Sequence, residues 1–184
     1  MLKPLTVMLA LLPAAVLAED DVCGAVYTNA DFVGAWEMTT GTGIVTDSAK
    51  SAFVPATTEG TGPVTITLDG KALTLKTEFI DFAMAVDEID YETDAPEYSQ
   101  LVPDGSDVSA EDVSLVVGCD WKRLQPVMAR AEGQTPYGED AVWQINGVVV
   151  TQNAQGEPTS IFGTFRVLGV GLDVQMTRTV VLTR

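Results

Sequence analysis

The chain has 184 residues, ten basic against twenty-six acidic side chains, a formal net charge of −16 and no histidine. Such a charge repels phosphate backbones and anionic lipid, which sets nucleic acid aside as a partner. The missing imidazole removes Ser-His-Asp and Cys-His catalysis, His-ligated zinc and histidine pH switching together.

Met1 to Ala18 reads as a secretory signal: Lys3, a run from Leu5 to Leu17 that is apolar apart from Thr6, and Val16-Leu17-Ala18 ahead of the charged Glu19-Asp20-Asp21. The predicted cut follows Ala18 and leaves residues 19–184 as one domain, periplasmic or secreted. The apolar run is short of the ~20 residues that span a bilayer as a helix, and no later stretch approaches that length, so a soluble chain with no membrane span is expected. Cys23 and Cys119 both survive the cut. An even pair in an oxidising compartment predicts a disulfide between them.

Val33 to Thr40 is the first predicted strand. Val64 to Thr77 follows as a hairpin turning at Asp69-Gly70, with Leu68 opposite Lys71, Ile66 opposite Leu73 and Val64 opposite Leu75. Phe79 to Tyr91 fits a helical stripe and a strand alternation equally, and its β surroundings favour the strand. Asp94 to Ala110, with Pro96, Pro103 and Asp104-Gly105, reads as a long solvated loop, and Val113 to Trp121 as a strand with Val113, Leu115, Val117, Cys119 and Trp121 on one side. The C-terminal third predicts three successive antiparallel strands. Ala141, Trp143, Ile145, Gly147 and Val149 alternate in the first, 153–156 turns the chain, Ile161 to Leu168 continues, and Leu172 to Thr183 ends it with Leu172, Val174, Met176, Arg178, Val180 and Leu182 on one face.

Asp87-Glu88-Ile89-Asp90 and Asp104-Gly105-Ser106-Asp107 cluster oxygen ligands, but the calcium-loop spacing with its central glycine and terminal glutamate is absent, so solvation is the expected role and no metal site is assigned. No nucleophile elbow, phosphate loop or dinucleotide glycine fingerprint occurs. Paired carboxylates acting across a cleft are the remaining catalytic chemistry, and sequence shows no such distance. No catalytic residue and no cofactor is therefore assigned.

Gly34-x-Trp36 at the start of the first strand, about eight predicted antiparallel strands and Arg178 late in the chain together resemble the lipocalin and calycin pattern. The resemblance implies an all-β fold, an antiparallel up-and-down barrel of about eight strands in which Trp36 closes the base against an arginine of the last strand, here Arg178; a β-sandwich is the alternative. It also implies non-catalytic binding of a small apolar or amphipathic molecule, with Trp36, Met38, Trp143, Met176 and Arg178 as the interior residues. The rival expectation is an envelope structural or interaction protein without a ligand cavity, meeting a basic protein partner through the acidic segment between Tyr91 and Asp112. A carboxylate hydrolase ranks third. An outer-membrane barrel is disfavoured because Asp173, Gln175 and several threonines occupy the outward face of the last strand.

Overall fold

Strands that alternate apolar and polar residues bury one face only, and curling the sheet until its edges meet removes both the exposed apolar face and the unpaired edges. The protein, described by a computed structural model over residues 22–47, 52–56, 58–86, 100–101, 107–108, 110–135, 137–170 and 174–184, takes that solution. The proposed cleavage site and most of the acidic 87–109 segment lie outside the described residues.

The strands are β1 (Gly34–Asp47), β2 (Ala52–Ala56), β3 (Gly60–Asp69), β4 (Ala72–Lys76), β5 (Asp81–Ala85), β6 (Gln100–Leu101), β7 (Asp107–Val108), β8 (Pro126–Gln134), β9 (Asp140–Gln152), β10 (Pro158–Gly169) and β11 (Val174–Thr183). Eight of them form an antiparallel up-and-down barrel in the order β1-β3-β4-β5-β8-β9-β10-β11, and β11 returns to β1 with Glu37 opposite Thr183 and Asp47 opposite Val174. β2 adds a ninth strand along the far half of β1, while β6 and β7 pair apart from the barrel. The expected barrel is present and the sandwich is set aside.

The β3–β4 hairpin forms with its expected faces but not its expected register. Ile66 pairs with Leu75 and Leu68 with Leu73, so the two-residue connection is Gly70-Lys71 rather than Asp69-Gly70. Gly70 sits at φ +60°, which a residue without a Cβ adopts freely, and Asp69 is left to pair with Ala72. Val64, Ile66, Leu73 and Leu75 stay buried because the slip is an even number of residues and preserves each side chain's face.

Residues 113–121 correct the sequence reading more deeply. Ala110–Val117 is an α-helix, α1, followed by a short 3-10 turn at Trp121–Arg123. Val113 and Val117 obey a period of two, but they are also four apart and therefore share one face of a helix. Helical spacing prevails: Val113 is buried while Leu115 and Val116 face outward, and Gly118 at φ +81° ends the helix by donating its N–H to the Ser114 carbonyl. The buried stripe, with Val22 and Leu124, covers Val148 on the outer surface of β9, so the run 145–149 is buried on both faces of the barrel wall.

Residues 22–33 cap one end of the barrel. Phe32 is fully buried and meets the edge of Tyr27 at 6.0 Å between ring centres, and the Tyr27 hydroxyl donates to Gln152 Oε1 at 2.7 Å. The predicted disulfide between Cys23 and Cys119 is formed, tying this cap to the chain just past α1, and Gly24 donates its N–H to the Arg123 carbonyl beside it. Burial first, and then the nearby Asp31 carboxylate, raise the Tyr27 phenol above its ordinary 10.0. The unfolded chain thus ionises first, so this stability is complete below pH 10 and is lost as pH climbs toward the folded value. Denaturant titrations at rising alkalinity are expected to show a shallower loss above about pH 10 for Tyr27→Phe than for the parent chain.

Candidate functional site

The β1–β11 register decides what closes the base. Glu37 faces Thr183, so the next pair outward is Trp36 with Arg184. The Arg184 guanidinium carbon lies 4.8 Å from the centre of the Trp36 ring. Its Nη2 donates to the Asp31 carbonyl at 2.6 Å and its Nε to the Pro158 carbonyl at 2.7 Å, while the Trp36 indole donates to the Phe32 carbonyl at 2.8 Å. Trp36 is thus the closing tryptophan that was expected, but its arginine is Arg184.

Arg178, the residue expected in that place, pairs with Gly43 on one side and Phe165 on the other. Six residues up the strand, it is ~20 Å from the base at about 3.3 Å per residue. Its side chain is half-buried. It donates to the carbonyls of Gly41 and Thr58 and approaches the Met176 sulfur at 3.3 Å, fastening the bulge of β1 and the chain leading into β3. Gly43 permits this approach, because a Cβ there would fall 2.0 Å from the Thr177 carbonyl oxygen.

At the other end, where the β4–β5 and β8–β9 turns lie, the barrel opens into a cavity of about 790 Å³. Its wall is largely apolar: Met38, Val64, Ile80, Phe82, Trp143 and Phe165 line it, with Phe79 at the lip. Strand alternation places each: Met38 lies opposite Gly62, and Trp143 faces Ala131 on one side and Val167 on the other. Small residues leave the room. A Cβ on Gly62 would meet no atom within 4 Å, whereas one on Gly133 would press on Ile80 at 2.9 Å. The Trp143 and Phe165 rings pack at 5.9 Å, and the buried Trp143 Nε1 has no hydrogen-bond partner among the described residues.

Of the five expected interior residues, Met38 and Trp143 line this cavity. Trp36 is consumed in the base, Met176 packs beside the core and Arg178 braces the wall, so none of these three reaches the cavity lining. Phe82, Phe165 and Ile80 are lining residues that the expectation omitted. The signal for Phe165 was present, since Ile161, Gly163, Phe165 and Val167 alternate in phase with the neighbouring strands. Ile80 belongs to the turn between β4 and β5, where no periodicity operates. No family model, curated protein or solved structure matches this chain.

Proposed function

We propose that this is an exported, non-catalytic binding protein that takes one small, largely apolar molecule into the open end of its barrel, as the lipocalin resemblance implies. The observation that carries the reading is the open cavity of about 790 Å³ with its apolar wall of Met38, Val64, Ile80, Phe82, Trp143 and Phe165. Ligand sites in proteins run from about 300 to 1,000 Å³, with apolar walls and few polar groups. The ligand is therefore a largely apolar molecule small enough for this cavity. Export agrees with the Cys23–Cys119 bond, which an oxidising compartment favours.

Titration of the protein with dodecanol and with pyrene, followed by tryptophan fluorescence, tests the reading. Both are expected to bind. Trp143→Ala removes a large aromatic surface from the wall and weakens both probes by about three- to tenfold. Gly62→Leu fills the mouth without straining the backbone and weakens both by about tenfold or more. Absence of saturable binding of both probes to the parent chain up to their aqueous solubility limits sinks the proposal.

A further inference from the structure

Among the described residues, the cavity wall carries charge of one sign. Glu78 and Glu132 are the charged residues of the cavity wall, and neither lysine nor arginine belongs to it. Glu132 is paired with Arg130 at 3.4 Å, whereas Glu78, exposed in the turn before β5, makes no ion pair among the described residues. Of the basic residues near it by register, Lys76 in β4 is exposed and pairs across the strands with Thr65 and Asp81, Arg130 is paired with Glu132, and Arg178, opposite Phe165, is spent on the Gly41 and Thr58 carbonyls; none is a wall residue. Next to Glu78, Phe79 is 89% exposed and offers a ring face at the lip.

An apolar wall below an unpaired carboxylate and an exposed aromatic ring is complementary to an alkyl chain ending in an ammonium group. We infer that the site selects cationic amphiphiles over alkyl carboxylates of equal length. The tail lies among Val64, Phe82, Phe165 and Trp143, and the ammonium stays at the lip, near the Glu78 carboxylate and the Phe79 ring. The inference rests on the proposed binding role and adds to it the charge of the ligand.

Calorimetric titration of the whole protein with dodecylammonium and dodecanoate below their micelle concentrations, and with dodecanol below its solubility limit, decides the matter. At low ionic strength dodecylammonium is expected to bind about tenfold tighter than dodecanoate with dodecanol between them, and the ratio to shrink toward about twofold in 1 M salt. Glu78→Lys is expected to reverse the order. Glu157→Lys makes the same change in net charge at an exposed position in the turn between β9 and β10, at the sealed end of the barrel, and leaves the ratio within about twofold. If the two variants respond alike, the field of the whole chain discriminates and not Glu78, which overturns the inference. Equal binding of the three probes, or a preference for dodecanoate, overturns it while leaving the binding role intact. Failure of dodecanol to bind removes both.

Discussion

Replacing Cys23 and Cys119 together by alanine is expected to destabilise the protein by about 3 to 5 kcal/mol and to lower its melting temperature by about 10 °C. The bond spans 96 residues of sequence, and closing a loop of that length removes much of the unfolded chain's freedom. Its position makes the loss local as well as global. One cysteine belongs to the cap that holds Tyr27 and Phe32 in the barrel base, and the other follows the helix whose Val113 covers Val148. Hydrogen exchange in the double variant is expected to accelerate first in 22–33 and 110–124, ahead of β9 and β10. Unaltered melting would mean that packing of Phe32 and Leu124 alone holds the cap.

Trp36→Ala is expected to cost a further 3 to 5 kcal/mol or so, in the range for emptying a buried aromatic site. The side chain is only 4% exposed, so the cavity it leaves lies inside the base, and the Phe32 carbonyl and the Arg184 guanidinium both lose a partner. Arg184→Ala is expected to cost about 1 to 2 kcal/mol, since its other donors go to carbonyls that are partly open to water. A double-mutant cycle by urea unfolding separates the contact from its surroundings. Trp36 and Arg184 are expected to couple by about 0.5 to 2 kcal/mol, whereas Trp36 and Arg178 add independently within about 0.5 kcal/mol. Coupling of Trp36 to Arg178 instead would require β11 to be displaced by six residues against β1, contradicting the register on which the barrel closure rests.

The same pair shows where sequence reasoning stopped. Parity placed Arg178 on the inward face of the last strand, and Arg184, which the sequence reading did not consider, is in phase with it, but parity is silent about height along the barrel axis. Height is fixed by closure, through the pairing of β11 with β1 and the shift in register between Thr40 and Gly43. A similar limit applies to 113–121. Val113 and Val117 satisfy two periods at once, and the choice fell to the outer surface of β9, where Val148 needed a cover that a helix supplies.

What the sequence determined by itself is the part of the structure governed by local alternation and covalent chemistry: the strands of the C-terminal third, the buried face of the β3–β4 hairpin, and the Cys23–Cys119 bond. Side-chain direction in a strand repeats every two residues, so these features require no knowledge of distant neighbours. The tertiary structure alone decided that the barrel is sealed at Trp36 and open beyond Met38, and that Trp143 packs against Phe165 in the cavity wall. Whether a barrel is filled or hollow depends on the summed volumes of side chains brought together from many strands, and on gaps such as Gly62, which are properties of the closed sheet and of no single segment.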